Sequence, residues 1–588
     1  MGQGPDKPNI DAPAPDATPR RTGPPGLSPA RRPLPESSAR DSDGRKAVPE
    51  ERIDRLDRLA GRFMLHAVWV AFLGASVLQP FVFQDRVLGP EAADYAQIGR
   101  NVARGQGFRT DAVVPLTVGM GWPVQATPEL AKPPLPSLLM GLAYRGLGES
   151  DTVTLGLQYA SLCVCLIVLY WVGARAFGTT AGLLTVALIA LNPSVVALAA
   201  RYGNVSICAA LMACVLLTLT YVSGDGRGGA RSSPAPRASR RQSVGVFLAG
   251  LLFGLAYLSE YALLAVLVPL LMQVYSLAAR EKRWRNTGLA LLGFLIVALP
   301  WWVRCWVLFR APVVSLDRYV AMLFTDAHPG TTLLRSVSVP GDPYLFLLTH
   351  PKAVLANLLR CGAGLSDSLP VVASSMVIGG AALLYLTSLK SASDACWRRL
   401  LLGGAIAVLL ATAFTIQFTV VNFMPLLPLA ALLAAAALVR LVRGLGGWRG
   451  VVVGGALAVL LVIPAWARPE TSVPAEARMV AANLRGLSRV LPRNAVVISD
   501  TPQLVAWYAD RPTVWLPATQ DLQAVVSSAR APIVLFLSDG LARWPSADGA
   551  QFYQELLMAR EVPPGFAELD LPVPGARCLV PRPRDAAE

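Results

Sequence analysis

The chain has 588 residues, 54% of them hydrophobic and only 15% charged, with a formal net charge of +15. That balance excludes an ordinary soluble protein, because several apolar runs reach the roughly 20 residues that a 30 Å hydrocarbon core demands. It also argues against a nucleic-acid partner, since the positive charge gathers in short connections and a terminal tail without interleaved aromatics.

Residues 1–61 are crowded with Pro, Ser, Arg and Asp, as in Arg31-Arg-Pro-Leu-Pro-Glu-Ser-Ser-Ala-Arg40. Such a segment buries too little apolar surface to offset its ordering entropy, so a disordered cytoplasmic tail is expected. It lacks the apolar core and small-residue cleavage site of a removed secretory signal.

Candidate spans follow at 62–84, 152–173, 180–199, 204–222, 244–259, 261–278, 287–308, 369–389, 399–418, 422–440 and 450–466. The whole is expected to be mainly α, a polytopic membrane protein with about 11–13 transmembrane helices. Four connections are clearly basic: Arg227 to Arg241, Arg280 to Arg285, Lys390 to Arg399 and Arg440 to Arg449. All fall on the cytoplasmic side if the tail is inside and the segment 133–147 does not cross. Fifteen helical residues reach only about 22 Å at 1.5 Å per residue, so that segment is expected to be half-inserted. Parity then puts the C-terminus outside. Ser259 and Glu260 separate two short apolar runs, read as a turn on the outer surface.

Two regions between and after the spans lie outside the membrane in this threading. An outer loop, 309–368, holds Tyr344 to Arg360, which suits one helix lying on the interface. The part 467–588 alternates helix-like and strand-like segments, with Ala495-Val-Val-Ile-Ser499, Thr513-Val-Trp-Leu516 and Ile533-Val-Leu-Phe-Leu537 read as buried strands. A small extracytoplasmic α/β domain is expected there. The eight cysteines show no metal-ligand spacing. Cys361 and Cys578 alone would face an oxidising compartment, and a disulfide between them is not the expected state. His66, His328 and His350 are too scattered for a metal cluster.

The chemistry concentrates in the first outer loop, 85–132. Glu91 and Asp94 are three residues apart and share one helix face, while Tyr95, Ile98 and Val102 form an apolar stripe. Two readings stand: the polar face of an interfacial helix, or a carboxylate pair that accepts a proton from a sugar hydroxyl. A polyprenyl phosphate leaving group needs cations placed beforehand, and Lys132, Arg100, Arg201 and Arg304 are the candidates. Lys132 precedes Pro133-Pro134, which start a helix and hold the lysine at its mouth; snorkelling to the interface is the competing reading. Tyr95, Glu260 and Asn422 are candidate pocket residues. Trp301 and Trp302 suit interfacial anchors.

These residues carry a resemblance. Glu91-Ala-Ala-Asp94-Tyr95, Gly99-Arg100-Asn101 with Gly105-Gln-Gly107-Phe108, and Lys132-Pro-Pro-Leu135 occur in the order seen in the GT-C superfamily of polyprenyl-phosphate-sugar-dependent glycosyltransferases. The chain resembles in particular the protein mannosyltransferase and aminoarabinose transferase type. Arg175-Ala-Phe-Gly178, Leu191-Asn-Pro193, Pro300-Trp-Trp-Val-Arg304 and Pro425-Leu-Leu-Pro428 extend the likeness over most of 62–588, with a GT-C transmembrane domain over 62–466. The resemblance implies that Glu91 acts as base or positions the acceptor, that Lys132 contacts phosphate, and that Asp94 is a recurrent second acid. It further implies a bacterial-type inner membrane, a polyprenyl-phosphate-linked sugar donor, a lipid, glycan or protein acceptor, and inversion at the anomeric carbon. No cofactor is implied, although the acid pair suits Mg or Mn.

The chain departs from the pattern at four places. Arg201-Tyr-Gly-Asn204-Val-Ser206 holds no acid where relatives often have one shortly after the arginine, Asn422-Phe423 stands where many have Arg-Tyr, Cys305 where Asn follows the arginine, and Glu91 where Asp is usual. A catalytically degenerate protein of the same fold and a lipid transporter or flippase are the alternatives.

Overall fold

The computed structural model describes residues 87–190, 201–223, 236–311, 316–353, 399–408, 424–445, 475–544, 550–559, 566–571 and 575–581, with scattered single positions beside them. The tail, the spans at 62–84 and 369–389, most of 450–466, Asn422 and Cys361 lie outside the described residues.

The helical layer comprises α1 (Pro90–Ala103), α2 (Pro134–Leu147), α3 (Asp151–Phe177), α4 (Thr179–Ala190), α5 (Val205–Ser223), α6 (Pro236–Tyr257), α7 (Leu263–Leu277), α8 (Arg283–Phe309) and α9 (Leu427–Leu445). Every expected span that falls on described residues is helical there. Among the described residues four stretches are long and apolar enough to cross a membrane: Asp151–Phe177, Val205–Ser223, Arg280–Phe309 and Met424–Leu445. Helices α3 to α9 share one core, in which Leu169, Leu216, Phe253 and Leu432 are fully buried, while α1 and α2 pack with the α/β layer. The expected turn at Ser259-Glu260 is present, closing α6 against α7 through Glu260 N–H bonds to Ala256 and Tyr257 carbonyls.

Helix α1 starts at Pro90, whose missing N–H costs nothing in a first turn, and carries Glu91 where the helix dipole favours an acid. It crosses α2 closely. A Cβ on Gly99 would stand 2.8 Å from Met140 Cβ, and one on Gly141 would stand 2.9 Å from the Gly99 carbonyl, so only glycines allow this approach.

The α/β layer adds α10 (Ala475–Val490), α11 (Pro502–Tyr508), α12 (Leu522–Ala529) and α13 (Gln551–Met558). Its strands are β2 (Val496–Ser499), β3 (Thr513–Trp515), β4 (Ile533–Leu537), β5 (Phe566–Leu569) and β6 (Arg577–Pro581). The three strands read from sequence sit where expected. With β1 (Ala112–Val113) the sheet order is β1-β3-β2-β4-β6-β5, parallel from β1 to β4 and antiparallel through β6 and β5. Helices cover both faces: Val497, Val534 and Phe536 pack with α10 and α11, while Val496, Ile498 and Leu535 pack with Val525 and Tyr553 on the other side. Burial on both faces explains the uninterrupted apolar strands.

Strand β1 is Ala112–Val113, from the segment that follows α1, and it pairs in parallel with β3. The α/β layer therefore does not begin at 467: its edge strand is supplied about 400 positions before the strand it pairs with, as the registers Ala112 to Thr513 and Val113 to Val514 show. The expected single helix over Tyr344 to Arg360 is corrected. A helix spans Pro343–Thr349, His350 is non-helical, and helical structure resumes at Pro351, which cannot continue the preceding hydrogen-bond ladder.

Candidate functional site

The Glu129-Leu-Ala-Lys132 turn meets the first turn of α1. Glu129 is 4% exposed, and its Oε1 accepts hydrogen bonds from the Ala131 N–H (2.6 Å) and the Lys132 N–H (2.8 Å). Those bonds, with Pro133 and Pro134 behind them, fix the backbone from which Lys132 extends. The Leu135 N–H bonds the Leu258 carbonyl and the Tyr261 hydroxyl lies 3.4 Å from the Lys132 carbonyl, tying this segment to the α6–α7 turn.

Lys132 Nζ lies 2.9 Å from Glu91 Oε2 and 3.5 Å from Asp94 Oδ2, and 5.5 Å from the centre of the Tyr95 ring. The expected pair of acids thus faces one lysine. The two acids differ in environment: the Glu91 side chain is 48% exposed, that of Asp94 only 12%. The Lys132 ammonium holds Glu91 below the usual carboxylate range, with Arg201 adding to the effect. Burial pushes Asp94 up, and Glu91 adds to it, against Lys132 and the Gln97 amide, which donates to Asp94 Oδ1 at 3.1 Å. Burial opposes the charge on Lys132 but is outweighed by Glu91 and Asp94, so its ammonium is held well above its ordinary value. Burial, with repulsion from Asp94, pushes Glu129 up to about 7. A set of groups with divergent affinities for a proton within one pocket is the arrangement that general acid and base chemistry requires.

Four of the other expected residues surround this centre. Arg201 lays its stem beside Gly89, at the entrance to α1. Glu260 Oε2 accepts from Asn204 Nδ2 at 2.9 Å, and the same amide also donates to the Ser259 carbonyl, so a carboxylate occupies the neighbourhood of Asn204 although that position is itself not acidic. Tyr95 lies beneath Lys132. Arg304 donates to the Phe108 carbonyl at 3.1 Å and lies 4.5 Å from the Trp301 ring, while its Nη1 is buried without a hydrogen-bond partner among the described residues. A buried guanidinium N–H left free at a pocket is suited to an incoming anion.

Arg100 is a correction. Its guanidinium is 3% exposed and donates to the Ala506 and Trp507 carbonyls at 2.6 and 2.9 Å, with Asp510 at 3.0 Å and Asp111 at 3.6 Å. It joins α1 to α11 through both Nη groups. The indole N–H groups of the half-buried Trp301 and Trp302 bond the Tyr261 and Tyr257 hydroxyls, so the polar end of each ring is satisfied within the protein. Asn422 lies outside the described residues. Glu129 was not anticipated; the signal available was an acid three positions before a lysine, a spacing at which a carboxylate reaches the backbone N–H groups that follow it. Among the described residues no three His, Cys, Asp or Glu side chains gather as a metal-holding group.

Comparison with known proteins follows the same lines. Residues 131–306, from the Lys-Pro-Pro segment to α8, match the family model described as dolichyl-phosphate-mannose-protein mannosyltransferase. No curated protein matches the chain. Among solved structures it is similar to ArnT from Cupriavidus metallidurans bound to undecaprenyl phosphate, with 16% identity and a TM-score of 0.53, over 88% of this chain and 98% of that one. It is also similar to the oligosaccharyltransferase AglB from Archaeoglobus fulgidus in complex with an inhibitory peptide and a dolichol-phosphate, with 12% identity and a TM-score of 0.52, over 83% of this chain and 72% of that one. At these identities the likeness shows the fold. The chain is a polytopic membrane protein of the GT-C fold.

Proposed function

We propose that this GT-C-fold protein is a membrane glycosyltransferase that moves a sugar from a polyprenyl phosphate to a hydroxyl-bearing acceptor on the extracytoplasmic face of a bacterial-type inner membrane. The observation that carries the reading is the Glu91–Lys132–Asp94 cluster at the mouth of the Pro-Pro helix, whose lysine lies in the segment 131–306 that matches a lipid-phosphate-sugar family. In the sugar donor the bond to be broken joins the anomeric carbon to a phosphate oxygen. Lys132 and the free Nη1 of Arg304 are the cations that meet the charge developing on that oxygen.

The salt bridge to Lys132 keeps Glu91 a weak base before donor binds. A phosphate that draws the ammonium toward itself weakens this bridge and raises the proton affinity of Glu91. The half-exposed carboxylate then accepts the proton of the acceptor hydroxyl as its oxygen bonds to the anomeric carbon, and the carbon–oxygen electron pair leaves with the phosphate. Inversion at the anomeric carbon follows from attack opposite the leaving group. Asp94 and Glu129 fix Lys132 from below and behind. The charge balance is met by side chains, and no resident metal is invoked.

The test is transfer from radiolabelled polyprenyl-phosphate sugars by membranes containing the full chain. Label reaching a lipid, glycan or protein product with the intact chain, and roughly a hundredfold less with Glu91→Gln, supports the reading. Properly inserted protein that transfers from no such donor would leave a binding role for the same fold.

A further inference from the structure

A cavity of about 270 Å³ lies between the segment after β1 and the end of α8. Trp122 and Leu130 line one side, Phe309 and Arg310 another, and Arg318 and Tyr319 the third; the Trp122 and Phe309 rings meet edge to face at 5.8 Å. Neither Lys132 nor Arg304 lines it, so it is separate from the pocket described above. The two are nonetheless close. Leu130 is two residues from Lys132, which at 3.8 Å per step places their Cα atoms within about 7.6 Å.

Among the described residues no carboxylate offsets the charge of this cavity, and neither Arg310 nor Arg318 is paired with one. Arg318 donates through Nη2 to the Tyr319 hydroxyl at 2.9 Å, but its Nε is buried without a partner. Such an orphan donor is costly unless something accepts from it. The approach to the cavity is apolar. Leu292, Ile296, Leu299, Val303 and Trp306 are all exposed and recur every three or four positions along α8, and this face runs to the end of the helix, which Arg310 caps in the left-handed conformation. A hydrocarbon chain laid on this face would deliver its head group to the two arginines.

We infer that the Arg310–Arg318 cavity binds the phosphate or similar anionic group of a lipid, and that this lipid is the acceptor. The inference rests on the transferase reading for the word acceptor; the anionic-lipid site stands on the cavity, the unpaired arginines and the apolar face. An anionic lipid held here brings its polar head beside the turn that carries Lys132, while the donor phosphate occupies Lys132 and Arg304.

The test uses the full chain in neutral detergent and equilibrium binding of radiolabelled dioctanoyl phosphatidic acid, with dioctanoyl phosphatidylcholine and inorganic phosphate as competitors. Saturable binding of phosphatidic acid is expected, competed poorly by the other two. The Arg310→Gln/Arg318→Gln double variant should weaken it roughly tenfold or more, while the Arg→Lys pair should retain most of it and guard against misfolding. Polyprenyl phosphate binding should be unchanged by the Gln pair and reduced by Lys132→Ala. Phosphatidic acid binding that ignores the Gln pair but falls with Lys132→Ala would overturn the proposal, since the lipid would then sit in the donor pocket. Equal competition by inorganic phosphate would overturn the lipid source of the anion. Absence of any effect of Lys132→Ala on polyprenyl phosphate, with the Gln-pair effect intact, would instead overturn the transferase reading and the acceptor role, leaving an anionic-lipid site.

Discussion

The two ends of α1 hold the same kinds of residue and use them in opposite ways. At the N-terminal end Glu91 and Asp94 face Lys132 in a partly open pocket, with Glu91 half in solvent. At the C-terminal end Arg100 is buried, bonded to two carbonyls and flanked by Asp510 and Asp111, while Arg104 pairs with Glu149 and Asp510. Trp507 Nε1 and the Tyr508 hydroxyl both bond Asp151, and the Leu88 N–H bonds the same hydroxyl, completing the junction. The charged groups at that end are spent on holding the α/β layer to the helix. Those at the other end retain an open side, and that difference separates the proposed chemistry from scaffold.

Breaking the closed end should produce the largest effect on folding. Arg100→Met leaves the Ala506 and Trp507 carbonyls without this donor and removes the buried cation beside Asp510 and Asp111, and thermal unfolding of the full chain in detergent should show a loss of about 3 kcal/mol. An unchanged midpoint would mean that the junction contributes little. Glu91→Gln should do the reverse, cutting transfer by roughly a hundredfold, about 2.7 kcal/mol in barrier, with the unfolding midpoint nearly unmoved because the lost ion pair is half exposed.

A smaller effect separates Glu129 from both. Its folded value of about 7 lies above its ordinary 4.5, so between those values the folded protein holds a proton that the unfolded chain has lost. The Glu129 contribution to stability is therefore fully present below about 4.5 and falls as pH rises through about 7. Glu129→Gln keeps an oxygen acceptor for the two N–H groups and cannot ionise; its midpoint should match that of the parent at low pH and exceed it progressively toward neutral pH. Parallel curves for the two proteins would refute the assignment. Least affected should be Asn204→Asp, which sets a carboxylate against Glu260 and the Ser259 carbonyl and should cost about 1 kcal/mol in the same unfolding assay.

The amino-acid sequence carried the apolar helices, the three central strands and the grouping of Glu91, Asp94 and Lys132, because each rests on local periodicity or on motifs whose order is fixed along the chain. It did not carry β1. Two residues, Ala112 and Val113, have no strand signature of their own and become a strand only by pairing with Thr513 and Val514. Arg100 and Lys132 illustrate the same limit for side chains. Both are cations next to acids in the first loop, and only the arrival of α11 over Arg100 distinguishes a clamp from a ligand. The Tyr344 helix was overextended because apolar spacing outweighed the Pro351 break.

The central claim is that Lys132 holds the donor phosphate and Glu91 acts after it is held. The most direct test measures polyprenyl phosphate affinity and the transfer rate at saturating donor on the same preparations of the parent, Glu91→Gln and Lys132→Ala. The account predicts that Glu91→Gln keeps donor affinity and loses the rate, whereas Lys132→Ala loses both. Parent-like donor affinity in Lys132→Ala, or a parent-like rate in Glu91→Gln, would contradict it.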